Sequence, residues 1–98
     1  MAGSIITLEE ASSITASFRR SYPNATKAVY YTSNVFSDIM SQKGCVGIRV
    51  YNAVDANGNM TNVLVGVDAN DNDMYNGKVY ENGTRCPPKC SINNPLNS

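Results

Sequence analysis

Histidine and tryptophan are absent from this 98-residue chain, and the first absence removes much familiar chemistry. Without an imidazole there is no Ser–His–Asp or Cys–His relay and no histidine-ligated metal. No apolar run reaches the ~18 residues of a membrane span, so no transmembrane helix is expected. The opening Met1-Ala2-Gly3-Ser4-Ile5-Ile6 has no basic stretch and no apolar segment of secretory length, which makes the cytoplasm the expected compartment. A surplus of charge is missing too, since eight basic side chains balance eight acidic ones. Nucleic-acid binding needs a basic footprint to neutralise phosphates, and none is evident; neither nucleic acid nor membrane is expected as a partner. The balance is nevertheless uneven, because Val50 to Asn76 holds four aspartates and no lysine or arginine.

What is present suits one small domain. A chain of this length buries somewhat over ~60% of its unfolded surface, enough for one modest core. Thr7-Leu8-Glu9-Glu10 is a capping-box signature, in which Thr7 accepts from the amide three residues on and Glu10 reaches back. Leu8, Ala11, Ile14, Phe18 and Tyr22 then share one helical stripe, and Pro23 stops it, giving a helix over 8–21. Ala28-Val29-Tyr30-Tyr31 reads as a short edge strand or an extended connection. Thr32 or Ser33 opens a second helix over 33–43 with Val35, Phe36, Ile39 and Met40 on its core face. Gly44 stands at the left-handed position that ends helices.

A hairpin over 45–67 follows, and its register depends on the turn. A two-residue Asn57-Gly58 turn sets Val50 opposite Val65, Ile48 opposite Val67 and Val54 opposite Thr61. One face then gathers the valines, while Arg49, Tyr51, Ala53 and Leu64 share the other. A five-residue loop over 55–59 would instead place Val63, Val65 and Val67 with Arg49 and Tyr51. The cleaner apolar partition favours the Asn-Gly turn. A last short strand is expected over 77–81, then an extended Cys- and Pro-containing tail over 84–98. The fold class expected is α+β: a two-layer sandwich with two N-terminal helices packed on a three- to four-stranded, mainly antiparallel sheet.

Two segments could carry chemistry. Asp68-Ala69-Asn70-Asp71-Asn72-Asp73 alternates oxygen side chains as calcium loops do, making Asp68, Asn70, Asn72 and Asp73 candidate metal ligands. The EF-hand pattern is incomplete, with Asp73 where a glycine belongs and Val79 where the bidentate glutamate belongs. An exposed Asx-rich turn is the simpler reading. The string Val54-Asp55-Ala56-Asn57-Gly58-Asn59 repeats the start of this loop thirteen residues earlier, at what should be the opposite end of the sheet. Cys86, Cys90 and Cys45 form the second candidate, as a thiol-redox pair, a metal site or a disulfide. Cys86-Pro87-Pro88-Lys89-Cys90 lacks the two-residue spacing and following helix of a redox motif, and three cysteines leave a zinc ion short of a ligand. In a reducing compartment all three are expected free.

The strings Gly44-Cys45-Val46-Gly47-Ile48-Arg49-Val50-Tyr51, Leu64-Val65-Gly66-Val67-Asp68-Ala69 with Asn72-Asp73-Met74, and Cys86-Pro87-Pro88-Lys89-Cys90-Ser91 with Asn94-Pro95-Leu96 together resemble small uncharacterised proteins of Bacteroidetes-type bacteria. The resemblance spans roughly residues 8–96. It implies that the tail cysteines belong to the protein itself, and it carries no activity and no catalytic residue. The function expected is a small, soluble, non-enzymatic binding or assembly module, with a protein partner or a second copy docking on an apolar patch of Tyr51, Ala53 and Leu64. Calcium binding through residues 68–73 and thiol or metal chemistry at the cysteines are the alternatives.

Overall fold

Thr7 opens the first helix as its sequence requires, its Oγ1 accepting from the amide of Glu10 at 3.0 Å. The computed structural model describes residues 2–98. Along it run α1 (Leu8–Ser21), β1 (Ala28–Tyr30), α2 (Ser33–Met40), β2 (Cys45–Val54), β3 (Met60–Asp68), β4 (Val79–Tyr80) and β5 (Thr84–Cys86). The α+β class is the expected one. The strands divide into two antiparallel sheets: β2-β3-β4, and a separate β1-β5 pair that recruits the start of the tail. The second helix is a turn shorter than expected, ending at Met40.

The hairpin has the register of the five-residue loop. Val54 faces Met60, Val50 faces Leu64, Arg49 faces Val65 and Ile48 faces Gly66. Asp55 overrides Asn57-Gly58: its Oδ1 accepts from the amides of both Asn57 and Asn59 at 2.9 Å. Its own amide bonds back to the Asn59 carbonyl at 2.9 Å. One carboxylate thus satisfies two loop amides, whereas a type I′ turn would leave it idle. Gly58 takes the left-handed position, φ 81°, that closes such a loop.

The apolar partition misled because β3 is buried on both sides. Leu64 and Gly66 lie under α2, whose Ile39 is 0% exposed and anchors that layer. Tyr80 of β4 shares this face and donates to Asp38 of α2 at 2.5 Å. Val65, 4% exposed, and Val67 occupy the opposite face with Arg49 and Tyr51. Leu64 and Tyr51 therefore point to opposite faces, and the patch proposed for them does not form.

The first helix contributes much less. None of its residues is buried, and Leu8 and Ile14 leave their stripe exposed. Phe18 stacks on Tyr22 at 5.1 Å, and Arg19 donates to the Leu96 carbonyl of the tail at 2.7 Å. No described helix is long and apolar enough to cross a membrane.

Gly83, between β4 and β5, packs closely on β1. A Cβ on Gly83 would lie 2.6 Å from Val29 Cγ1 and 2.8 Å from the Tyr30 carbonyl oxygen. Backbone cannot retreat as a side chain can. Gly83→Ala is therefore expected to cost about 1–3 kcal/mol in urea unfolding, as overpacking does; an unchanged midpoint would refute this close approach.

Candidate functional site

Residues 68–73 repeat residues 55–59 in three dimensions as well as in sequence. Asp68 Oδ1 accepts from the amides of Asn70 at 2.9 Å and Asn72 at 3.0 Å, and the Asp68 amide bonds the Asn72 carbonyl at 2.9 Å. Asp71, at φ 66°, stands where Gly58 stands in the first loop. Aspartate tolerates that conformation better than most residues because its short polar chain bonds locally. This second loop turns the chain back so that Asp73 bridges Val67 and the Met74 amide reaches the Gly66 carbonyl at 2.8 Å. Both loops are hairpin turns held by an aspartate, and they fall at opposite ends of β3, as the intervening strand requires.

Asp73 carries the charge of the site. Arg49 of β2 reaches across β3 and donates to Asp73 Oδ1 at 2.6 Å and Asp71 Oδ1 at 2.9 Å. Tyr51, two residues along the same face, donates its hydroxyl to the other oxygen of Asp73. β2 and the segment bearing Asp73 flank β3, about two inter-strand spacings or roughly 9.5 Å apart, so the Arg49 stem lies over the valine face of β3. A polar strap thus covers the side of the sheet that α2 leaves open. The Tyr51 hydrogen bond, then Arg49, hold the Asp73 carboxyl below its usual range, against the opposing effect of burial. The same contacts raise Arg49 and Tyr51, so the proton stays on the phenol.

Of the four candidate metal ligands, Asp68, Asn72 and Asp73 border a wide hollow of about 680 Å³ with the 74–77 turn, and Asn70 does not line it. Asp68 Oδ1 is engaged by loop amides, and both Asp73 oxygens are hydrogen-bonded. Among the described residues no group of three or more histidine, cysteine or acidic side chains is placed to hold a metal ion. The strap itself was missed from sequence; the signal was Arg49-x-Tyr51, which share one face in either register, and the longer loop sets Val65 and Val63 beneath them.

The cysteines separate. Cys86 and Cys90 are joined, with Cα atoms 4.7 Å apart, while Cys45 is a free, half-buried thiol whose Sγ bonds the Gly47 carbonyl at 3.2 Å. Cys86 is buried in β5, so the bridge ties the tail to the β1-β5 pair. Beside it lies a mainly apolar groove of about 650 Å³ between β1 and the tail, edged by Lys27 and Lys89. Nothing in the residue pattern announced this groove, because it exists only once the tail folds back.

Two measurements probe these contacts. An unfolded aspartate titrates near about 3.9; a depressed folded value means that the stabilising contribution is complete above that pH and lost as pH falls through the folded value. The melting-temperature gap between wild type and Asp73→Asn is therefore expected to be widest near neutral pH and to close in acid. A gap independent of pH would remove the ion pair from the explanation. Reducing the Cys86–Cys90 bridge, which closes a very short loop, is expected to cost about 2 kcal/mol. Before reduction only Cys45 should alkylate; labelling of all three thiols would show that the bridge is not formed.

Comparison with protein-family models, curated proteins and solved structures finds no match to this chain, so the site has to be read from its own geometry.

Proposed function

We propose that this chain is a non-enzymatic assembly module that associates with further copies of itself. The observation that carries this reading is surface area. The molecule exposes 7197 Å² for a mass of 10.6 kDa, whereas a compact monomer of that mass exposes about 5,500 Å². Its radius of gyration, 14.9 Å, likewise exceeds the roughly 12.6 Å of a compact 98-residue chain. The excess, about 1,700 Å² per chain, is more than one side of a standard protein interface uses.

The exposed apolar side chains support the same reading. Leu8 and Ile14 on α1, Val46, Val50 and Val54 on β2, and Ile5 in the extended N-terminal arm are all more than half accessible. Val46, Val50 and Val54 follow one another along a single strand, and exposed apolar surface gathered on one element marks interaction sites. The acidic side chains of the candidate site point away from acid–base catalysis as well. Asp73 is neutralised by an arginine and a tyrosine, where a general acid would be held above its usual range.

Sedimentation equilibrium from micromolar to near-millimolar protein provides the test. The weight-average mass is expected to rise above 10.6 kDa with concentration. A mass that stays at that value throughout would overturn the assembly reading.

A further inference from the structure

The geometry points to the open edge of β2 as the contact between copies, pairing antiparallel with the same strand of a second chain to form one six-stranded sheet. This rests on the assembly reading above and specifies its surface. In the order β2-β3-β4, β2 has a partner on one side only. It is also the longest strand, ten residues, or about 33 Å of unpaired backbone donors and acceptors. Natural edges of this length are protected by lysine, proline, bulges or a covering element. β2 contains no lysine and no proline, and its irregularity is confined to the end between Cys45 and Gly47. Its single charge, Arg49, is drawn across β3 by Asp71 and Asp73, leaving the edge without a charged guard.

The apolar side chains along this edge repeat at a fixed interval. Val46, Val50 and Val54 are 62%, 55% and 68% exposed, four residues apart. Such a row is palindromic about Val50. Antiparallel pairing centred there sets Val50 against the partner's Val50 and Val46 against the partner's Val54, so one strand is its own complement. Isologous contacts of this kind close as dimers about a twofold axis. The same register brings Lys43, just before β2, beside the 55–59 loop of the partner, where Asp55 is held below the usual carboxylate range by the Asn59 and Asn57 amides. Each copy is neutral overall, so no net repulsion opposes the approach.

Amide hydrogen exchange at two protein concentrations, combined with sedimentation, separates the outcomes. Amides of residues 47–53 that point away from β3 are expected to gain at least tenfold protection at the concentration where the mass doubles, and to lose it on dilution. Val50→Lys sets two like charges face to face at the axis and should return the mass to that of the monomer, with far-ultraviolet circular dichroism retained. If the mass doubles while these amides exchange equally at both concentrations, or if protection gathers on α1 instead, the edge pairing is wrong and assembly stands. If the mass never rises, both readings fall. Should Val50→Lys unfold the chain, the exchange comparison on wild type still decides.

Discussion

Two aspartates set the register on which everything else depends. Asp55 and Asp68 each accept from two amides of their own loop, and each closes a turn at one end of β3. In a strand the side chains alternate, so a shift of one residue would exchange every face. With the loops closed in this way, Arg49 and Tyr51 stand over Val65 and Val63, and Ile48 and Val50 stand with Gly66 and Leu64 toward α2. The hydrogen bonds are individually modest, about 1 kcal/mol each, yet they act where the two alignments part.

That register explains the unequal covering of the sheet. One face is protected by α2, through Ile39 and the Tyr80–Asp38 hydrogen bond. The other has no helix, and the strap from Arg49 to Asp73 and Asp71 takes its place. A strap protects a narrow row, so Val65 and Val67 are buried while Val79 and Tyr51 remain accessible. Strain at Asp71 and the concentration of acidic residues in 68–73 follow from the same geometry. The segment must turn back tightly and also present carboxylates to an arginine two strands away.

The segment that resembles a cation loop also supplies the acidic half of this strap. Within it Asp68 holds the turn while Asp71 and Asp73 project to Arg49. A run rich in carboxylates serves either job, so its composition alone could not separate them. The cysteines show a similar ambiguity: spacing allowed Cys86 to meet either Cys90 or Cys45, and the folding of β5 against β1 settled the partner. The tail groove and the open β2 edge have no linear signature at all, because each lies between segments distant in the chain.

The chain by itself determined the features that local chemistry controls. The α1 boundaries follow from Thr7 and Pro23, the α+β class from the order of periodic segments, and the kinship of the two Asx loops from their shared string. Only the tertiary structure showed why the apolar partition was a poor guide to the hairpin register: β3 is covered on both faces, so the Asp55 loop bonds were free to set it. It also decided the fate of the apolar stripe on α1, which periodicity marked as core but of which Ala11 and Phe18 are only half-buried and Leu8, Ile14 and Tyr22 stay exposed. Periodicity reports that a face could be buried; whether it is buried depends on the neighbours the chain can bring to it, and here the chain does not bring enough.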